Sequence, residues 1–372
     1  MGAGSAEAGS ADDGALRVII AGGGTGGHLF PGLAVAERLR ARAGARVFFV
    51  GSARGIEARV VPQTGFPLRT LPVRALRGQR FPELLAAAAA LPKSLVAAWR
   101  FLSEIRPRIV VGVGGYASAP TVVAAWLRRR PTVLLEQNAV PGLTNRLLGR
   151  VADRICVSFP ESAGYFPAAR TVVTGNPVRL PAAAAPKRDG TFSLLVFGGS
   201  AGAHRLNEVV VEAAARLRAA GKLPRITHQT GAHDAERVTH RYREAGIDAD
   251  VRIFIEDMPA AYAAADLIVC RAGATTLAEL TALGKPAVLV PYPYAADDHQ
   301  RKNAEALVAR GAALMILDRD LDAGRLVAEI ARLEGDRAAL AAMAHAAAAL
   351  GRPAAAEHVV DVCLELAGDG GR

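Results

Sequence analysis

The chain has 372 residues, 51% of them hydrophobic, and a formal net charge of +10. That length exceeds one ordinary core and predicts about two domains, while no apolar run nears the ~20 residues that a spanning helix needs, which argues against a transmembrane segment. The charge is lopsided, with 23 Lys and Arg against 10 Asp and Glu in residues 1–180 and 22 against 25 in 181–372. The basic first half implies an anionic partner, but 5% aromatics with no interleaving of aromatic and basic residues argues against single-stranded nucleic acid.

Residues 1–15 are small, polar and acidic (Asp12, Asp13) and read as a disordered leader, with no basic stretch leading into an apolar one as in a signal peptide. A strand predicted over 17–21 then runs into the glycine turn Gly22-Gly23-Gly24-Thr25-Gly26-Gly27, which ends in His28 and a helical pattern (Leu33, Val35, Ala36, Leu39). Bare backbone amides at a helix N-terminus can hold an anion, and the adjoining imidazole can move protons near neutral pH. Gly22-x-Gly24-x-x-Gly27 also fits the dinucleotide fingerprint, so the turn alone is ambiguous.

Strands over 46–51, 109–113, 132–135 and 154–157 alternate with helical patterns, the rhythm of a parallel sheet. Between Arg74 and Arg100, basic residues (Arg74, Arg77, Arg80, Lys93, Arg100) flank Phe81, Leu84, Leu85, Leu91, Leu95 and Trp99, with Leu102 at the next helical position. This stretch reads either as a patch docking on an anionic membrane or as a core-facing helix with a basic edge. Another glycine turn, Gly112 to Ser118 with Tyr116, follows the 109–113 strand; Glu136 and Asn138 close the next. Polar groups at successive strand ends beside His28 make a pocket with a possible acid–base pair.

The rhythm pauses near 175, residues 176–190 read as a Pro- and Ala-rich linker, and the pattern restarts. A strand over 193–197, a glycine turn over 198–203 and a helix over 206–219 mirror the first opening, with further strands over 252–255, 267–270 and 287–290. The chain therefore reads as α/β, with two doubly wound parallel-sheet domains, 16–175 and 191–352, facing a cleft, and a final helix in 353–372. Residues 266–280 form a strand, a turn of small residues and a helix. There a diphosphate can approach the amides, and Glu279 can accept from a ribose diol, although an ordinary strand–helix loop fits as well. Gln300 offers a donor and an acceptor to sugar hydroxyls; Asp297 or Asp298 is alternatively a plain helix cap. Cys156, Cys270 and Cys363 lie far apart, which suits a reduced, cytosolic protein. No His, Cys, Asp or Glu cluster has metal-ligand spacing, so no metal or cofactor is expected, and a leaving diphosphate would rest on helix N-termini.

These motifs, in order, resemble a known family. Gly23-Gly24-Thr25-Gly26-Gly27-His28 with Phe30-Pro31-Gly32-Leu33-Ala34, Gly114-Gly115-Tyr116, Glu136-Gln137-Asn138, Gly142-Leu143-Thr144-Asn145 and Gly175-Asn176-Pro177-Val178-Arg179 are similar to the bacterial peptidoglycan N-acetylglucosaminyltransferases that make lipid II. So are Gly198-Gly199-Ser200, Phe254-Ile255-Glu256-Asp257-Met258, Gly273-Ala274 with Thr276 and Glu279, and Asp298-His299-Gln300 with Asn303-Ala304. The resemblance covers about 17–365 and implies a two-domain GT-B fold. It implies inverting transfer of N-acetylglucosamine from UDP-N-acetylglucosamine to the C4 hydroxyl of the muramyl sugar of lipid I, at the cytoplasmic face of the plasma membrane. By the same resemblance His28 is the leading general base and Glu136 its rival or helper, with Tyr116 and Asn207 nearby on the acceptor side. Thr25, Gly26, Gly27 and Asn138 would meet the donor sugar. Arg179, Ser200, Ile255, Ala274, Thr275, Thr276, Leu277, Ala278, Glu279 and Gln300 would hold the nucleotide sugar, with Ile255 near uracil and Glu279 on the ribose. The chain departs from the pattern at Leu135, where histidine is common, at Ala201, where glutamine is frequent, and at Ala272, where serine is frequent; each removes a possible contact.

Three rivals remain. A nicotinamide or flavin oxidoreductase wants an acid at the end of the second strand, where Gly51-Ser52-Ala53-Arg54 stands instead. A UDP-sugar epimerase would share the fold, and a non-catalytic head-group binder would leave Glu279 and Gln300 without a role.

Overall fold

The structure, a computed structural model, describes residues 14–73, 81–180, 190–199 and 202–369, with the backbone alone at 81–89 and 369. The first half holds strands β1 (Arg17–Ala21), β2 (Arg46–Ser52), β3 (Leu68–Leu71), β4 (Ile109–Gly112), β5 (Thr132–Glu136), β6 (Arg154–Val157) and β7 (Thr171–Val173). They form one parallel sheet in the order β3-β2-β1-β4-β5-β6-β7. The second half holds β8 (Ser193–Phe197), β9 (Arg225–Gln229), β10 (Asp250–Arg252), β11 (Leu267–Cys270), β12 (Ala287–Leu289) and β13 (Leu314–Met315), ordered β10-β9-β8-β11-β12-β13. In each sheet the order reverses beside the first strand, and a crevice at the carboxyl ends of the strands opens there.

Register fixes which turns meet. Ala21 pairs with Gly112, so the glycine turns after β1 and β4 lie side by side. Phe197 pairs with Cys270, so the turns after β8 and β11 do the same. The central strands are apolar along their length because helices cover both faces. Val18 and Ile20 face the helix Gly26–Ala43, and Ile19 and Ala21 pack with the helix Phe81–Ile105. The last helix, Ala355–Asp369, returns to the first sheet, where Val359, Val360 and Cys363 join the core of Val18 and Ile20. Arg42 pairs there with Glu357 and Asp361. All three cysteines are buried and free.

Two readings of local structure change. The strand expected over 252–255 instead ends at Arg252 as β10, and its apolar residues lie in the loop beyond, with Ile253 and Phe254 more than half exposed and only Ile255 buried. The apolar stripe of 91–102 also divides between two surroundings. Leu102 is buried and Leu95 packs against the same core, whereas Leu91 and Trp99 are exposed together with Val96. Arg74, Arg77, Arg80, most of the linker and the side chains of Phe81, Leu84 and Leu85 lie outside the described residues, as does nearly all of the leader.

Candidate functional site

The turn after β1 is shaped by a buried carboxylate that sequence reading passes over. Gly22, Gly23 and Gly24 all have positive φ. A Cβ on Gly23 would lie 2.4–2.6 Å from the carboxyl group of Glu57, so only glycine fits there. Glu57 is fully buried; its Oε2 accepts from the Gly24 amide at 2.8 Å, and its Oε1 accepts from the Ser52 amide and hydroxyl, each at 2.8 Å. The Gly24 amide is thereby spent. The amides left at the start of the helix Gly26–Ala43 are those of Thr25, Gly26 and Gly27.

His28 sits in the first turn of that helix, partly exposed, with Nδ1 3.1 Å from the Thr25 hydroxyl. Its ring lies against the glycine turn after β4, since a Cβ on Gly114 would lie 2.8 Å from its Cδ2 and 3.1 Å from its Nε2. Desolvation, then His299 across the cleft, lowers its pKa to about 4, opposed by a Gly23 backbone hydrogen bond and the charge of Glu57. The imidazole is therefore neutral at physiological pH and able to accept a proton. Tyr116 stands beside this turn, its Cε1 3.5 Å from where a Gly24 Cβ would be.

Glu136, at the end of β5, is buried and accepts four hydrogen bonds. Oε1 takes the Asn138 amide at 2.9 Å and its Nδ2 at 3.3 Å; Oε2 takes Asn145 Nδ2 at 2.9 Å and the Gly142 amide at 3.3 Å. Burial raises its pKa, while these donors pull it down. With about four lone-pair sites on a carboxylate, all are engaged. Asn145 also borders the glycine turn after β4, its Nδ2 3.5 Å from the Gly114 Cβ position. Leu135 packs in the core, so nothing polar replaces the histidine common at that position.

The opposite wall comes from the second half. Gly273 caps the helix Ala274–Ala282, leaving the amides of Ala274, Thr275 and Thr276 at its N-terminus. Leu277 turns into the core, and Ala278 lies at the next position. Glu279 accepts from the Tyr262 hydroxyl at 2.7 Å, and burial raises its pKa to about 7, against the lowering effect of that bond. Gln300 Oε1 accepts from the Ala272 and Tyr292 amides, so its acceptor is taken and the NH2 group is what it can offer a sugar. Gln229 joins two loops: Nε2 donates to Gly199 O at 3.0 Å, and Oε1 accepts from the Ile255 amide at 2.8 Å. Tyr262 and Gln229 were not singled out from the sequence, and only their partners reveal them.

Two expected residues stand elsewhere. Arg179 is exposed and paired with Glu37, on the helix that carries His28. Asn207 is fully buried, its amide engaged by Thr230 O, Asp234 and His228, all in the second half. Ser200 and Ala201 lie outside the described residues.

The halves meet through Asn303, which is fully buried on the helix His299–Val308. Its Oδ1 accepts from the Ala139 amide at 2.8 Å, and its Nδ2 donates to Asn138 Oδ1 at 3.1 Å. A cavity of about 330 Å3 also lies between the halves, but none of His28, Glu136, Glu279 and Gln300 lines it. Among the described residues, no group of three or more His, Cys, Asp or Glu is placed to hold a metal ion.

Residues 18–157 match the glycosyltransferase family 28 N-terminal domain, and 193–359 match the family's C-terminal domain. The chain belongs to glycosyltransferase family 28. Within that family it is 51% identical over 356 residues to the UDP-N-acetylglucosamine--N-acetylmuramyl-(pentapeptide) pyrophosphoryl-undecaprenol N-acetylglucosamine transferase of Anaeromyxobacter sp. (strain K), covering 94% of this chain and 93% of the relative. The transferase of the same name from Geobacter sulfurreducens is 50% identical, with 93% and 97% covered. The crystal structure of Acinetobacter baumannii MurG superposes with a TM-score of 0.77 at 35% identity, covering 94% and 99%. A UDP-GlcNAc 2-epimerase from Neisseria meningitidis shares the fold alone, at 13% identity and a TM-score of 0.67 over 94% and 100%. As a family 28 enzyme, the chain has the GT-B architecture of two facing parallel-sheet halves.

Proposed function

We propose that this family 28 glycosyltransferase moves N-acetylglucosamine from UDP-N-acetylglucosamine to the C4 hydroxyl of the muramyl sugar of lipid I, inverting the anomeric carbon and releasing UDP. What carries the reading is full-length identity of about half to transferases of that name, joined to a cleft with a neutral imidazole on one wall and a helix N-terminus beside a carboxylate on the other. The second half holds the nucleotide. The amides of Ala274–Thr276 take the diphosphate and stabilise the charge of departing UDP, Glu279 takes the ribose hydroxyls, and Ile255 borders uracil. Thr25–Gly27 and Asn138 face the donor sugar, and Gln300 donates to its hydroxyls. His28 removes the proton from the acceptor hydroxyl as that oxygen attacks. Glu136, with its lone pairs engaged, orients Asn138 and Asn145. No resident metal is assigned a part; helix N-termini carry the leaving charge.

The acceptor is lipid-linked, and the enzyme docks on an anionic membrane surface at the cytoplasmic face. Leu91, Val96 and Trp99 on the helix Phe81–Ile105 and Trp126 and Leu127 on the neighbouring helix Ala119–Leu127 are exposed apolar side chains. Exposed Lys93, Arg100, Arg129 and Arg130 surround them, and Arg128 lies over the Trp99 ring at 4.8 Å. Such a basic-rimmed apolar face suits an interfacial contact. No described helix is long and apolar enough to cross a membrane.

Incubation with UDP-N-acetylglucosamine and a lipid I analogue tests the reaction. UDP release that requires the lipid, with a β-linked disaccharide product, is expected. Free UDP-N-acetylmannosamine formed without acceptor would replace this reading with the epimerase.

A further inference from the structure

Glu57 lies outside the reaction as described, yet the first turn is built around it. Three glycines make room for its side chain. A Cβ on Gly23, Gly51 or Gly55 would come within 2.2–2.4 Å of it, and two of those contacts are with the carboxyl group itself. It is fully buried, and its two oxygens accept three hydrogen bonds, from Gly24 on one segment and Ser52 on another. The carboxylate thus ties the glycine turn after β1 to the end of β2, one residue before the helix N-terminus that begins at Thr25.

We infer that Glu57 is a positioning residue of the transfer reaction: it fixes the Gly22–Gly24 turn and through it the place of His28 in the cleft. The inference rests on His28 as the base. A helix start preceded by three glycines has little stiffness of its own, since glycine restricts φ and ψ least. The Gly24–Glu57 bond supplies what the glycines lack. Glu57 also faces His28 electrostatically, as does His299 from the opposite wall, so its charge supports the imidazole's basicity. Nothing places it against substrate: both oxygens are turned inward to backbone and serine donors. It therefore acts through His28 rather than on the sugar.

The test is a double-mutant cycle on the full-length enzyme, with UDP-N-acetylglucosamine and a lipid I analogue. Glu57→Gln keeps the size, but the amide NH2 cannot accept from the Gly24 amide if its oxygen stays on Ser52. Misplacing the base costs on the order of 100-fold in kcat. The KM for the donor should stay within about threefold, because the nucleotide is held by the other half. On a His28→Ala background, Glu57→Gln should cost no more than about threefold, since the group it positions is gone. Equal losses on both backgrounds, or a Glu57→Gln enzyme with near-parent kcat, would overturn the positioning role. His28→Ala with near-parent kcat would instead overturn the base assignment, so the two failures are distinguishable.

Discussion

At the scale of single residues, the site works by spending or sparing hydrogen-bonding capacity. Glu136 has none left, and Gln300 keeps only its donors, while Glu279 keeps a carboxylate oxygen beyond the one bonded to Tyr262. That last difference has a pH consequence. Burial raises the Glu279 pKa to about 7 in the unliganded enzyme. Ribose hydroxyls donate more strongly to the charged form than to the carboxylic acid, so bound nucleotide lowers that pKa, and binding below it is coupled to release of a proton. Affinity for UDP-N-acetylglucosamine, whose diphosphate takes up no proton in this range, should be flat above pH 7 and weaken below it, approaching tenfold per pH unit. Titration calorimetry between pH 5.5 and 8.5 reads this directly, and Glu279→Gln should bind more weakly at every pH with the dependence gone. A pH-independent affinity in the parent enzyme would remove the ribose role. The places of His28, Glu136 and Glu279 are legible in the sequence, since His28 opens a helix, Glu136 ends a strand and Glu279 follows a turn of small residues. That of Glu57 is not. Glu57 lies three residues beyond Arg54, past the strand end where a dinucleotide pattern wants its acid, and its carboxylate binds Gly24 and Ser52. Its signal, glycines at 51 and 55 shortly before a lone acid, takes meaning only once Gly23 is known to lie against it.

At the scale of elements, apolar runs marked the buried central strands well and the others poorly. β1, β4, β5, β6, β8, β11 and β12 were all visible as such runs. β3 is an edge strand whose two middle residues, Arg69 and Thr70, are exposed and polar, β7 and β13 have three and two residues, and β9 carries His228 and Gln229, which are buried but polar, so none of these gives a clean apolar signal. The stretch 252–255 failed the other way, since its apolar residues serve an exposed loop. The helix Phe81–Ile105 shows why periodicity alone left two readings open. One side contributes Ala98, Phe101 and Leu102 to the core, and another leaves Leu91, Val96 and Trp99 outside, so both readings hold on different faces. The outer face gives a test with the core left intact. Trp99→Ala with Trp126→Ala should sharply reduce co-sedimentation with vesicles containing anionic lipid, leave transfer to a soluble acceptor analogue unchanged, and leave the unfolding temperature near the parent's. Leu95→Ala should instead lower stability by roughly 2–3 kcal/mol or less, as a partly buried leucine does. Undiminished, salt-insensitive sedimentation of the double variant would remove the docking face.

At the scale of the whole molecule, the proposed chemistry needs a base from one half and a nucleotide from the other at a fixed separation, and specific bonds between the halves set that separation. The final helix returns to the first sheet and carries Val359 and Val360 into its core, so the last residues of the chain stabilise the first. Within the cleft the tie is Asn303, which meets the Ala139 amide and the Asn138 side chain at once. Asn138 also donates to Glu136, so a single chain of bonds runs from the second half to the acceptor side of the first. Asn303→Ala strips that chain of its anchor and leaves the Ala139 amide buried without its acceptor, a loss of about 1–3 kcal/mol. A surface ion pair such as Arg310 with Glu161, which also bridges the halves, is worth ~1 kcal/mol or less and should be nearly silent when removed. The expected pattern for Asn303→Ala is a raised donor KM together with a lowered kcat, since both sugar contact and base geometry depend on how the halves register. Arg310→Ala should move neither by more than about twofold. Steady-state kinetics on the two variants, with thermal unfolding alongside, decides the matter: equal effects would mean that the halves are held by their general contact rather than through the Asn303 bonds.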